Sequence, residues 1–93
     1  MTAPELAREE AIREEASRAL RASRIADLTC ALLAQTRGLT PGEALGLISV
    51  ARLSVLELFP DKEPVFNLLY RPRFLRIVAE RFGLPEEDLY ARP

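Results

Sequence analysis

The segment from Pro41 to Phe59 limits what this chain can fold into, because it is apolar almost all the way round. On a helical wheel at about 100° per residue, Leu47, Leu58, Ala51, Ala44, Val55, Ile48 and Phe59 fill one broad arc, and Leu45, Leu56 and Leu53 fill a second. Only a strip carrying Glu43, Gly46, Ser54 and Glu57 is plainly polar, and Arg52 stands between the two arcs. A helix with this pattern has to be buried on most sides. A 93-residue chain makes one domain, and a domain of that size hides only about 60–70% of the surface its unfolded form exposes. The segment is therefore expected to be the central element of a small all-α bundle, with a second chain needed to finish covering it.

The element before it is a long helix. Thr2-Ala3-Pro4-Glu5 has capping-box spacing, in which Thr2 accepts from a free backbone N–H and Glu5 reaches back. Nothing from there to Gln35 breaks a helix, and Gly38 followed by Leu39 is placed to supply a left-handed cap. Up to about Arg24 the helix is a run of Glu and Arg, with Glu9–Arg13 and Glu14–Arg18 in the favourable i,i+4 order. Such a run reads first as a solvated, self-stabilised helix. A stripe nevertheless runs through it: Ile12, Ala16, Ala19, Ser23, Ala26, Cys30 and Leu33, in alternating steps of four and three. That is coiled-coil spacing, with small residues that let a partner helix come close. After Ile25, the residues Ile25, Ala26, Leu28, Leu32 and Leu33 share a face that is expected to join the core.

Thr40-Pro41-Gly42-Glu43 is a second capping box with Pro at the first helical position. Pro60 disfavours helix at Phe59 and ends the central element. Gly46 and Ser49 leave a shallow place on its surface, suited to a close helix crossing or, less readily, to a ligand. Asp61 is the expected N-cap of a short third helix, Glu63 to Tyr70, whose Val65, Phe66, Leu68, Leu69 and Tyr70 are too dense to be exposed together. Arg71-Pro72 is expected to break the chain again, with Pro72 opening a fourth helix to Phe82 whose Phe74, Leu75, Val78 and Phe82 point inward. Gly83-Leu84 is its cap, and Pro85 to Tyr90 forms one more helical turn with an acidic start. The last residues are expected to fray. The whole is an all-α single domain over 1–93, with a long N-terminal helix, a highly apolar central helix and two or three short C-terminal helices. Residues 1–24 form a charged half-helix that either projects or only touches its own body, and residues 25–90 form the packed core.

Composition removes more functions than it suggests. There is no His, so the commonest general base and transition-metal ligand is missing. The single cysteine, Cys30, makes no thiolate zinc site and no intrachain disulfide; set in the run Leu28 to Leu33, it reads as a small core hydrophobe. No Gly-rich phosphate loop and no calcium loop is present. No catalytic residue, metal or cofactor is expected, and the chain does not read as an enzyme. The net charge of −1 excludes a strongly basic nucleic-acid binder. No apolar leader is visible, and Arg52 and Glu57 interrupt the best membrane-span candidate, so the expected location is the cytoplasm. Of 13 basic residues only Lys62 is Lys, and Gln35 and Asn67 are the only side-chain amides. Scarce amides suit a heat-adapted protein; a GC-rich genome would leave the same Arg bias.

Two sets of residues remain as candidate sites. Arg71, Arg73, Arg76 and Arg81 gather near a helix start with Glu80 as the only acid among them, a pattern able to hold phosphate, a nucleic-acid backbone or an acidic partner helix. The same arginines could instead pair with Glu57, Glu63 or the Glu86-Glu87-Asp88 run. Ile12, Ala16, Ala19 and Ser23 on the first helix, with Leu45, Leu53 and Leu56 on the central one, are the candidate oligomer interface, a homodimer being expected. Assembly through helical faces ranks first among functions, an Arg-dependent regulator of nucleic acid or another anionic partner second, and a ligand pocket near Gly46 and Ser49 third.

Overall fold

The computed structural model describes residues 2–90, and among them every regular element is helical. Helix α1 spans Ala3–Gln35, α2 Pro41–Leu58, α3 Glu63–Val65, α4 Arg71–Phe82 and α5 Glu86–Tyr90, with a π-helical turn, Phe66–Tyr70, joining α3 to α4. The expected fraying of the last residues falls on 91–93, outside the described residues.

Local chemistry sets most of these boundaries. The Thr2 hydroxyl accepts from the Glu5 N–H at 3.4 Å. At Thr40 the box is complete: Thr40 Oγ1 accepts from the Glu43 N–H, and Glu43 Oε1 accepts from the Thr40 N–H, both at 3.1 Å. The chain leaves α4 through Gly83, whose φ of +64° is cheap only for glycine, and the Leu84 N–H returns to the Ala79 carbonyl at 3.0 Å.

Three boundaries differ from the sequence-based expectation. Gly38 is left-handed (φ +71°), but it turns the loop after α1 and does not cap it; the capping residue is Thr36, in extended backbone. Asp61 is not an N-cap: Lys62 precedes α3, and no side chain caps that end. Arg71-Pro72 does not break the chain. Tyr70 and Arg71 keep right-handed helical backbone, and the Arg71 N–H bonds to the Phe66 carbonyl, one residue further back than in an α-helix. A proline has no N–H and its ring collides with the carbonyl four residues earlier. The wider π turn just before Pro72 absorbs both problems, so the helical path runs from Glu63 to Phe82.

The core lies where α1, α2 and α4 meet. Helix α1 contributes Ala22, Ala26, Thr29 and Leu33; α2 contributes Ala44, Ile48, Ala51 and Val55. Small residues on both faces let the two helices run close together as an antiparallel pair. Helix α4 adds Phe74, Leu75, Val78 and Ala79, the π turn adds Phe66, and α5 closes one end with Leu89. Phe66, Tyr70 and Phe74 form an aromatic cluster with ring centroids 5.9–6.5 Å apart. Thr29, the one buried polar side chain among the described residues, donates to the Ile25 carbonyl at 2.7 Å.

The core face of α1 is rotated from the one expected. Leu28 and Leu32 are exposed, and the buried line runs through Ala22, Ala26, Thr29 and Leu33 instead. In the same way the dense run after Pro64 is only partly covered: Phe66 is buried and Tyr70 half-buried, while Val65, Leu68 and Leu69 are exposed.

From Ala3 to Arg21 no residue of α1 is buried, and only Arg18 is half-buried. The molecule is correspondingly long, 57 × 26 × 16 Å with a radius of gyration of 16.4 Å, against about 12 Å for a compact domain of this length. The long axis matches the length of α1, about 50 Å for 33 residues. The start of α1, up to about Arg13, therefore projects, whereas Glu14 to Arg21 lie beside α2 and the π turn with their side chains largely in water.

Candidate functional site

The four arginines singled out in the sequence do not converge. Arg81, half-buried, reaches back to the end of α1: its Nη1 donates to the Leu33 carbonyl at 2.8 Å and its Nη2 to the Thr36 carbonyl. It also lies over the Phe82 ring, 5.4 Å from the centroid. Arg81 is thus a side-chain cap for carbonyls that have no helical partner. Arg73 pairs with Asp27 of α1 at 3.4 Å, with both groups largely exposed. Arg76 is exposed and has no carboxylate within ion-pair distance among the described residues. Arg71 turns to a cleft on the opposite flank of α4. The acidic run Glu86-Glu87-Asp88 makes no ion pair with any of them, and Glu63 is taken by Arg52.

That cleft lies beside α2 and has a polar rim. It has a volume of about 290 Å³ and a floor of Ile48, Phe66, Leu75 and Leu89. Arg52, Arg71 and Ser49 stand on its rim with Leu45. Ser49 lies where a shallow place was expected, and its hydroxyl donates to the Leu45 carbonyl at 3.2 Å. Gly46 marks no close helix crossing, since a side chain there would meet nothing within 4 Å. The residue that sequence reasoning missed is Arg52. Its position between two apolar arcs was visible, but its pairing with Glu63 depends on how α3 folds back along α2. A second concavity of about 240 Å³ lies between α1 and the π turn, bordered by Ala19, Val55, Phe59 and Tyr70, with Glu15 and Lys62 at its edge.

The candidate interface residues are all accessible to some degree. Ile12, Ala16, Ala19 and Ser23 are exposed along the α1 arm, and Leu53 is 60% exposed on α2. Leu45 and Leu56 are half-buried. The two arcs of α2 have separate fates: the broad arc carries the core, with Leu47, Leu58 and Phe59 half-buried at its margins, while the second arc is left uncovered or partly covered. Leu28 and Leu32 of α1 and Val50 of α2 add to the exposed apolar surface. Arg18 lies over the Phe59 ring at 5.9 Å, and the expected pairs Glu9–Arg13 (3.6 Å) and Glu14–Arg18 (3.9 Å) line the arm.

Two groups have shifted ionisation. Cys30 is half-buried, and desolvation raises its thiol pKa; the Arg73 guanidinium opposes this and Asp27 adds to it. Glu43 is held below the ordinary carboxyl range by its hydrogen bonds from Thr40. Neither adjoins the cleft. Among the described residues no three Cys, Asp or Glu side chains gather to hold a metal, and no helix is long and apolar enough to cross a membrane. No protein-family model, no curated sequence and no solved structure matches the chain.

Proposed function

We propose that this protein is a helical assembly module that acts by binding other protein surfaces, first of all a second copy of itself. The observation that carries this reading is the amount of apolar side chain left in water. Leu28, Val50, Leu53, Leu68 and Leu69 are each at least 60% exposed, on three adjoining elements. Single exposed leucines are ordinary, but this many on so small a chain are what contact with another surface would cover. The arm of α1 supports the same conclusion. A projecting helical stretch of about 11 residues, Ala3 to Arg13, is marginal in water, and the ion pairs along the first half of α1 add only about 0.2–0.5 kcal/mol each. Its Ile12-Ala16-Ala19-Ser23 stripe offers a partner helix a close, apolar track.

Nucleic-acid binding finds less support. Arg81 is spent on the end of α1 and Arg73 on Asp27, which leaves no continuous basic face.

The test is the mass in solution. Sedimentation of the 10.4 kDa chain at micromolar concentration should give a multiple of that mass, insensitive to added salt. Replacing Ala16 and Ala19 by Arg should lower the mass if the arm is in the contact. A cooperatively folded single copy at all concentrations would refute the reading.

A further inference from the structure

We propose that two copies of this chain pair back to back through the outer face of α1, antiparallel and centred on Ser17. The proposal rests on the assembly reading and specifies its contact. At about 100° per residue, Leu6, Glu10, Ser17, Arg24 and Leu28 form one row along α1, on the side opposite its buried line of Ala22, Ala26, Thr29 and Leu33. Every residue of the row is exposed. Helices α2 and α4 pack against the buried line, so a second α1 can lie along the row without displacing them. The small-residue stripe is set nearer the body, since Ala19 borders the hollow beside the π turn. Among the described residues neither Glu10 nor Arg24 has an ion-pair partner in its own chain.

Charge complementarity selects both the occupant and its direction. Glu10 stands seven residues before Ser17 and Arg24 seven after it; Leu6 and Leu28 stand eleven before and eleven after. An antiparallel second copy therefore sets Glu10 against the partner's Arg24 and Leu6 against the partner's Leu28. A twofold axis brings like flanks of the two helices together. On one flank Glu14 meets the partner's Arg21, and on the other the Arg13 stem lies along the partner's Leu20. A parallel pair would instead set Glu10, Glu14, Arg21 and Arg24 each against its own copy, like charge on like, and would align the two helix dipoles. Leu6, Leu20 and Leu28 are 46%, 52% and 61% exposed in the single chain; covering them supplies the attraction. The ion pairs fix direction more than strength, because exposed pairs add little. The pairing uses α1 alone and leaves Leu53 of α2 to a separate contact.

The experiment combines disulfide crosslinking of the full chain, in a Cys30→Ser background, with sedimentation of charge variants. A mixture of Leu6→Cys and Leu28→Cys chains, mildly oxidised, should give the mixed 6–28 product, with little of either like product. Glu10→Arg and Arg24→Glu each place like charges together twice in the symmetric pair, and each should raise the dimer dissociation constant roughly tenfold at low salt. The double variant Glu10→Arg/Arg24→Glu exchanges the two signs and should restore the wild-type constant, a rescue that a merely destabilised helix would not show. Like products in place of the mixed one, single charge variants that pair as well as the wild type, or a mass lowered by Ala16→Arg with Ala19→Arg but not by Glu10→Arg would each overturn this contact and leave assembly itself standing. A wild-type chain that sediments as a single copy would overturn both.

Discussion

Arg81 of α4 closes the end of α1 by donating to the Leu33 carbonyl at 2.8 Å, with a second bond to the carbonyl of Thr36, the residue just after that end, across 48 and 45 positions of sequence. This contact ties α4 to the first helix at the point where α1 has no basic residue of its own in its last turn. It explains why Gly38 is not needed as a cap. Replacing Arg81 by Met keeps the aliphatic stem and removes both bonds; the loss should be about 1.5–3 kcal/mol, the range for charged hydrogen bonds, read as a lower urea midpoint. Arg81→Lys should recover less than half, because an ammonium cannot reproduce the fork.

The two faces of α2 should respond oppositely to a charge. Val55 is 3% exposed and Leu53 60%. Val55→Asp buries an unpaired carboxylate, which costs several kcal/mol, and should abolish the helical circular dichroism. Leu53→Asp should leave the monomer's spectrum intact and lower the sedimenting mass. Leu56, half-buried within the chain, lies between these cases, so Leu56→Asp should destabilise the chain less than Val55→Asp while still weakening assembly.

Cys30 should be a slow thiol. Burial holds its pKa above the ordinary value, so the thiolate fraction near neutral pH is small. Alkylation by iodoacetamide at pH 7.5 should run slower than for the urea-unfolded chain. Arg73→Gln removes the one charge that opposes the shift and should slow it further; Asp27→Asn should speed it.

Glu43 confers a pH dependence on the start of α2. Its folded pKa lies below the unfolded one because the carboxylate accepts from Thr40. The ionised form therefore favours folding: the contribution is complete above the unfolded value, roughly 4–4.5, and is lost as pH falls through the lower folded value. Glu43→Gln keeps an acceptor without the charge. The melting-temperature difference between wild type and variant should be largest near neutrality and vanish on acidification.

What could be read along the chain was whatever depends on near neighbours. The cap at Thr2, where Glu5 does not reach back to complete the expected box, the full capping box at Thr40, the stop at Pro60 and the Gly83 turn involve partners within five residues, so the order and approximate ends of the helices followed from residue types alone. So did the helical pairing of Glu9 with Arg13 and Glu14 with Arg18. The division of the Pro41–Phe59 helix into two apolar arcs was equally legible, although only the broad arc found its cover inside the chain. The π turn was not, because Pro72 signals a defect without saying whether the chain breaks or widens.

Tertiary structure decided which apolar residues are core, where each arginine goes, and whether a hollow exists at all. Periodicity reports that a face is apolar but not how near its neighbour will come. The core takes Ala22, Ala26 and Leu33 from α1 and Ala44 and Ala51 from α2, and Leu28 and Leu32 stay on the surface. The arginines were adjacent in sequence, yet the long reach of each side chain let α1 claim Arg73 and Arg81 and left Arg71 facing the cleft. Such contacts span tens of residues, and their partners are selected by the packing of the whole bundle, which no local pattern encodes.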